Sequence, residues 1–263
     1  MAILLERKEK YMKFSISDLA FAGFKNSALE HLPTEYGIEI FYEFGTDDYW
    51  DARCEKFLAA RSSGLSIHAP CVAVNLADAK DFNYLEVYRR TLAYAQRQKA
   101  AFVVLHTNEK WTGDRDAVTM LVEKRLKEIL ALAKMHHVKV LIENVGLRTN
   151  GTLLYDWEQY LELLAKFPQT GALIDLGHAH VNDWNIINVL EVLQSQIKAV
   201  HLHDNNGMAD QHLPIGEGSI DWQGYFCKAK EVIPEAVQVL EYNDIRLSGL
   251  LKHVEMIKNK YNV

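Results

Sequence analysis

Short apolar runs recur along the chain, and each is followed by a longer segment with helical periodicity. The runs are rich in valine, isoleucine and leucine and show little alternation with polar residues, which is typical of strands buried on both faces of a parallel sheet. They cover residues 12–17, 37–43, 65–70, 101–106, 138–144, 171–176, 198–203 and 237–242. The pattern therefore predicts eight buried strands.

The segments between these runs carry the signals of surface helices. Between residues 85 and 95, for example, apolar side chains recur at helical spacing. Asp47 or Asp48, Asp114 and Asp156 stand where helix N-caps are expected. Strands that alternate with helices indicate parallel βα units, and eight units in 263 residues leave about 33 residues for each. We therefore predict an α/β fold, a (β/α)8 TIM barrel that forms a single domain over residues 1–263.

Most of the predicted strands end in a residue that can bind a metal ion or transfer a proton. In a (β/α)8 barrel the carboxyl ends of all strands meet at one face, where active sites lie. From the second strand to the eighth, these residues are Glu43, His68, His106, Glu143, Asp175, His201 and Glu241. A charged side chain at the end of a buried strand has to be paired or hydrated. Seven such ends together therefore predict a functional site at this face.

The segment around the seventh strand, residues 199–222, adds further ligand candidates. It contains five side chains with donors for zinc, manganese or iron, namely His201, His203, Asp204, Asp210 and His212. After the sixth strand, His178 follows Asp175 within one helical turn. We expect His203, which has the strand parity of His201, to line the pocket without binding the metal. A solvated polar loop is the alternative interpretation of this segment.

The composition indicates which kinds of molecule the protein is expected not to bind, and in which compartment it is expected to reside. The 29 Lys and Arg residues against 35 Asp and Glu residues give a net charge of −6, which disfavours the basic surface of a duplex-binding protein. Three widely spaced cysteines fit a reducing compartment. Residues 1–10 lack the pattern of a signal peptide, and no apolar run approaches the roughly 20 residues of a membrane span. We expect a cytoplasmic protein without a nucleic-acid or membrane partner.

The motifs at the strand ends resemble those of the xylose isomerase-like TIM barrels, and within them the sugar phosphate isomerase/epimerase branch, also called apurinic endonuclease family 2. The motifs are SIHAP (66–70), VVLH (103–106), LIENV (141–145), LIDLGHAH (173–180), HLHDNNGMADQHLPIGEGSIDW (201–222) and VLEY (239–242). In isomerases and epimerases of this family, one divalent metal is held by residues of strands five to eight. The resemblance therefore implies a metal site of Glu143, Asp175, His201 and Glu241, with Mn²⁺ or Zn²⁺ as the ion and Mg²⁺ or Co²⁺ as alternatives.

The endonuclease members of the same family hold three zinc ions, and the resemblance implies a longer ligand set for them. The additional positions correspond to His68, His106, His178, Asp210 and His212. Two motifs depart from the endonuclease pattern. Residues 107–108 are Thr-Asn where proline and glycine are usual, and residues 202–205 are Leu-His-Asp-Asn in place of an NDSK-like run. The arginine that follows the strand-seven histidine in some sugar epimerases is also missing, which leaves open the substrate and whether it carries a phosphate. Because the ligand positions of both branches are all occupied, one and three metal ions both stay open.

These features favour a metal-dependent isomerase or epimerase of a small sugar or sugar phosphate, which transfers a proton through a metal-stabilised enediolate. Glu143 and Glu241 are the predicted catalytic acid and base on opposite sides of the substrate. Candidates for the pocket wall and mouth are Phe41, Trp111, Tyr242 and Arg148. The alternatives are a zinc phosphodiesterase of the endonuclease IV type and a barrel that binds a sugar without catalysis. We also expect a homo-oligomer, which barrels of this kind often form through outer helices or loops.

Overall fold

In the computed structural model, which describes residues 12–21, 28–60 and 64–263, the chain forms a closed barrel of eight parallel strands. Each strand hydrogen-bonds to the next, and the last strand pairs with the first to close the barrel. The strands are β1 (Lys13–Ser17), β2 (Gly37–Phe41), β3 (Leu65–His68), β4 (Val103–Leu105), β5 (Val140–Glu143), β6 (Gly171–Asp175), β7 (Ile197–Leu202) and β8 (Val237–Leu240). The predicted TIM barrel is confirmed.

Helices connect the strands and cover the outside of the barrel. They are α1 (Ala28–His31), α2 (Asp47–Ala60), α3 (Tyr84–Gln98), α4 (Arg115–His136), α5 (Trp157–Lys166), α6 (Leu176–Val181), α7 (Ile186–Leu193), α8 (Trp222–Val232) and α9 (Leu247–Tyr261). Asp114 and Asp156 cap α4 and α5 as predicted. The predicted cap of α2 was wrong, because the helix already begins at Asp47 and the Thr46 hydroxyl accepts the hydrogen bond from the Tyr49 N–H.

Side chains along each strand alternate between the helices and the barrel axis. In β6, Ala172 and Ile174 belong to the large apolar core beneath the helices, whereas Leu173 belongs to a separate cluster inside the barrel. This interior cluster, which we call the apolar side of the interior, consists of Phe102, Val104, Leu141, Leu173 and Ala199. Because the period of a strand is two residues, the next inward positions are Glu143, Asp175 and His201.

The interior next to β1, β2 and β3 is polar instead. The inward positions of these strands are occupied by buried residues that we call the polar side of the interior, namely Ser15, Ser17, Glu39 and Ser66. Their neighbours along the strands, such as Ile16, Ile38 and Ile67, belong to the outer core. The barrel interior therefore changes from apolar to polar around its circumference.

Among the helices of the described ranges, none has the length and apolar character needed to cross a membrane. The prediction made for residues 1–10 lies outside the described residues. Self-association and cellular location stay predictions.

Candidate metal centre

Four side chains from neighbouring strands converge at the carboxyl end of the barrel, and we call them the central group. His201 Nδ1 lies 3.2 Å from Glu241 Oε2, 3.7 Å from Glu143 Oε1 and 3.7 Å from Asp175 Oδ2. All four residues are buried. The parallel register produces this convergence, since Asp175 pairs with His201 across β6 and β7 and Glu241 directly follows β8.

Two histidines from β3 and the end of β4 approach the other oxygen of Glu143. The Nε2 atoms of His68 and His106 lie 3.1 Å apart, and His106 Nε2 lies 3.0 Å from Glu143 Oε2. His68 Nε2 lies 3.6 Å from the same oxygen. Glu143 therefore contacts the central group through Oε1 and the histidine pair, His68 and His106, through Oε2.

A third set, the loop group, lies on the other side of the central group and consists of His178, Asp210 and His212. The Nε2 atoms of His178 and His212 lie 3.3 Å and 3.1 Å from Asp210 Oδ2. His178 comes from α6, whereas Asp210 and His212 come from the long segment between β7 and α8. The structure thus brings together the nine side chains that the family resemblance implied as ligands for one or three metal ions.

Asp204 holds the segment that carries Asp210 and His212 and does not face the central group. Its carboxylate accepts hydrogen bonds from the backbone N–H groups of Gly216 and Ile220 and from Trp222 Nε1, at 2.7–3.2 Å. A carboxylate that binds several N–H groups of one loop fixes the shape of that loop. The interpretation of Asp204 as a ligand candidate was therefore wrong.

Each of the five candidate histidines has one ring nitrogen tied to an acceptor behind the site. The acceptors are the backbone carbonyls of Ala69, Asn144 and Glu241 for His68, His178 and His212, and the carboxylates of Glu109 and Glu39 for His106 and His201, at 2.6–3.0 Å. An N–H at that position turns the other nitrogen towards the site carboxylates. Metal-binding histidines are held in this way.

The electrostatics of the site favour a positive charge on the imidazole of His201, whose pKa is raised. Burial alone lowers the pKa of His201, but the carboxylates of Glu241, Glu39 and Glu143 raise it well above its ordinary value. Conversely, burial raises the pKa of Glu143, yet His106 and His201 hold it well below its usual range. The proton that His201 Nδ1 retains is one that a divalent cation displaces on binding.

The residues present fit a divalent cation. Among the described residues, His201 Nδ1 and Glu241 Oε1 are buried polar atoms without a hydrogen-bond partner. Such atoms are costly unless they are satisfied, and both belong to the central group. Imidazole nitrogen together with carboxylate oxygen is the donor set of zinc and manganese.

A cavity of about 280 Å³ opens above the central group. Glu143 and Glu241 both line it, together with members of the histidine pair and of the loop group. Phe41 forms part of its wall and stacks on His68 with the ring centroids 4.1 Å apart. The volume is close to the lower end of the range for small-molecule sites.

Several sequence expectations for the pocket were wrong. Trp111 lines a separate cavity, and Tyr242 is buried beneath the loop, where its hydroxyl accepts a hydrogen bond from the Ile215 N–H. Arg148 forms an ion pair with Asp183 and does not line the central cavity. His203 is fully buried behind Asp175, with Nε2 3.0–3.1 Å from the two carboxylate oxygens.

Glu43 does not belong to the site either. The strand ends at Phe41, two residues earlier than predicted, and Glu43 lies in a 3₁₀ turn. Its carboxylate accepts hydrogen bonds from the backbone N–H groups of residues 71–73 at 2.8–2.9 Å. The loop after β3 thus uses Glu43 as a structural acceptor.

Sequence analysis missed Glu39, which lies in the middle of β2, four positions before Glu43. It is fully buried, and its Oε1 lies 2.7 Å from His201 Nε2. The sequence does contain a sign of it, because a glutamate in the middle of the apolar run GIEIF has to have a partner inside the barrel.

Comparisons with known proteins agree with this architecture. An uncharacterised protein, MJ1311, of Methanocaldococcus jannaschii is 27% identical over 97% of this chain and 92% of its own length. The crystal structure of a D-tagatose 3-epimerase-like protein has a similar fold, with a TM-score of 0.76. Its sequence is 26% identical, and the match covers 95% of this chain and 99% of that chain.

A crystal structure of the IOLI protein with a bound zinc atom is similar in fold, with a TM-score of 0.75 and 17% identity over 95% of this chain and 99% of that chain. The family model described as xylose isomerase-like TIM barrel matches residues 28–260. This chain, with its closed barrel and its buried groups of histidine, aspartate and glutamate, therefore belongs to the xylose isomerase-like TIM barrel family.

Proposed function

We propose that the protein is a metal-dependent sugar isomerase or epimerase. The observation that carries this proposal is the placement of Glu143 and Glu241. Both carboxylates contact His201 Nδ1, both line the same cavity, and they come from β5 and the end of β8, on different sides of the barrel mouth. Transfer of a proton from one carbon atom and its return need two such groups beside one substrate.

In this proposal Glu143 and Glu241 remove the proton α to the substrate carbonyl and return a proton. The pKa of Glu143 lies well below its ordinary value because histidines offset the effect of burial, and the pKa of Glu241 is lowered for the same reason. Both carboxylates are therefore ionised at neutral pH and one can accept a proton. Glu143, Asp175, His201 and Glu241 would hold a divalent cation, which when bound supplies a Lewis acid for the carbonyl oxygen.

We further propose that the substrate is a small sugar without a phosphate group. The described residues that line the cavity include no lysine or arginine, and Arg148 is paired with Asp183 outside it. Asn108, Asn150 and Thr152 line the cavity, and the exposed amide of Asn150 offers hydrogen-bonding groups for sugar hydroxyls, while Leu19 and Phe41 offer an apolar surface. The cavity size of about 280 Å³ suits one small molecule.

The test combines metal analysis with isotope exchange. Protein purified without chelator is analysed for metal by plasma mass spectrometry, and the metal-loaded enzyme is incubated with a panel of ketoses in D₂O. We expect bound divalent metal and deuterium at the carbon next to the carbonyl of at least one ketose, with no exchange after the metal is stripped. A chain that holds no metal, or exchange that is equal with and without metal, would contradict the proposal.

A zinc phosphodiesterase is the second candidate, and the geometry of the flanking groups favours it. The histidine pair shares Glu143 with the central group, and in the loop group His178 and His212 lie 3.3 Å and 3.1 Å from one oxygen of Asp210. Three ligand sets side by side suit two or three zinc ions that act on a phosphodiester. Cleavage of abasic-site DNA by the zinc-loaded protein, lost in His106→Ala, would support this candidate over the isomerase.

A further inference from the structure

We propose that Glu39 is a positioning residue that holds the imidazole of His201 with Nε2 protonated and Nδ1 free for a divalent cation. The proposal rests on the metal site proposed above. Its basis is the hydrogen bond of 2.7 Å between His201 Nε2 and Glu39 Oε1. Both residues are fully buried, so water does not compete for this contact.

Glu39 is itself held in place from behind. The Ser66 hydroxyl donates a hydrogen bond of 2.8 Å to Glu39 Oε2, so each carboxylate oxygen has one partner. The two residues lie on adjacent strands and are paired in the register of β2 and β3. The chain Ser66–Glu39–His201 therefore crosses the polar side of the interior and ends at the central group.

The geometry makes Glu39 a partner of the ligand and not a ligand itself. The two nitrogens of an imidazole point away from each other, and His201 presents Nε2 to Glu39 and Nδ1 to Glu143, Asp175 and Glu241. The ring thus stands between Glu39 and the point where the other three carboxylates meet. A carboxylate that accepts the outer N–H of a metal-binding histidine fixes the ring and strengthens its donor nitrogen.

The first experiment measures zinc affinity in the full-length, chelator-stripped protein by competition with a fluorescent chelator. We expect Glu39→Ala to weaken the tightest zinc site by about 10- to 100-fold. Glu39→Gln, which keeps an oxygen for the His201 N–H but loses the charge, is expected to weaken it less. Glu43→Gln is the matched control, because within the described part of the chain the hydrogen bonds of that carboxylate come from backbone N–H groups and none comes from a histidine.

The second experiment observes the imidazole directly. In protein labelled with ¹⁵N-histidine, the His201 Nε2–H proton is expected as a slowly exchanging, downfield resonance that Glu39→Ala removes and Glu43→Gln leaves in place. This signal is recorded with and without zinc. If the wild-type chain binds no zinc, the proposed function fails, while the resonance still tests the contact between Glu39 and His201.

Three results would overturn the proposal: zinc affinity of Glu39→Ala within about twofold of wild type, equal weakening in Glu43→Gln, or loss of one whole zinc equivalent in Glu39→Gln. The last result would make Glu39 a ligand. If Glu39→Ala does not fold, Glu39→Gln decides alone, and unchanged affinity together with an unchanged Nε2–H resonance would contradict a positioning role.

Discussion

The apolar side and the polar side of the barrel interior have different structural roles. On the apolar side, Leu141, Leu173 and Ala199 lie beneath Glu143, Asp175 and His201 and fill the space with hydrocarbon. On the polar side, Glu39 and Ser66 form a hydrogen-bonded chain that ends at His201. One side supplies packing under the strand-end residues and the other fixes the orientation of one of them. Substitutions on the two sides should therefore separate stability from metal affinity.

The largest effect is expected at the strand end above the apolar side, in Glu143→Gln. The amide keeps the size of the side chain but can neither accept the substrate proton nor serve both the central group and the histidine pair. We expect the exchange of deuterium into the substrate to fall by about 10²- to 10⁴-fold, with an unchanged circular dichroism spectrum. Full exchange activity in this variant would remove Glu143 from the chemistry.

Leu173→Ala tests the apolar side itself. Leu173 is fully buried, two residues before Asp175, and its truncation leaves a cavity that should cost about 2–5 kcal/mol of unfolding free energy. Urea denaturation measures this cost, and zinc titration of the folded variant should give nearly the wild-type affinity. A large loss of zinc affinity with little loss of stability would contradict the view that the apolar side contributes packing and not metal affinity.

Asp18, directly after β1, is a buried carboxylate whose pKa is lowered by no neighbouring cation among the described residues. It can therefore be compared with Glu143, whose pKa the neighbouring histidines lower. Burial raises the pKa of Asp18 to about 8, opposed by the Phe41 N–H that donates to Oδ1 and assisted by the negative charges of Glu39 and Glu241. Between about pH 4 and pH 8 the folded chain keeps a proton that the unfolded chain releases, so stability falls as pH rises.

Asp18→Asn removes this titration and keeps the oxygen that accepts from Phe41. The melting temperature of the variant should exceed that of wild type by a margin that is near zero at pH 4 and grows up to pH 8–9. Thermal scans at pH 4, 6.5 and 9 measure the margin. A margin that does not change with pH would show that Asp18 titrates normally in the folded state.

The smallest effect is expected for Ser66→Ala, at the end of the hydrogen-bonded series Ser66–Glu39–His201 that is farther from the metal site. The variant loses the hydrogen bond of 2.8 Å to Glu39 but leaves the contact with His201. We expect a cost of about 1 kcal/mol in stability and a loss of zinc affinity of about fivefold or less. Ser15→Ala, on the same side of the interior, serves as the control, and equal changes in both variants would mean that Ser66 has no special role.

Much of the candidate site could be predicted because its residues are tied to strand ends. Glu143, Asp175, His201 and Glu241 each close an apolar run, and parallel strands in a barrel deliver such residues to one face whatever their separation in sequence. The same rule misplaced Glu43, because the length of an apolar run does not show where the ladder of hydrogen bonds stops.

The sequence by itself determined the number of strands, the barrel and the side chains that meet at its carboxyl end, since these follow from periodicity and from chain order. Only the tertiary structure decided the roles of the remaining buried polar residues. Glu39, Asp204 and His203 all have their partners in other elements, His201, Trp222 and Asp175 respectively. Which nitrogen of a histidine faces a site depends on those partners, and no local pattern encodes a contact between residues 39 and 201.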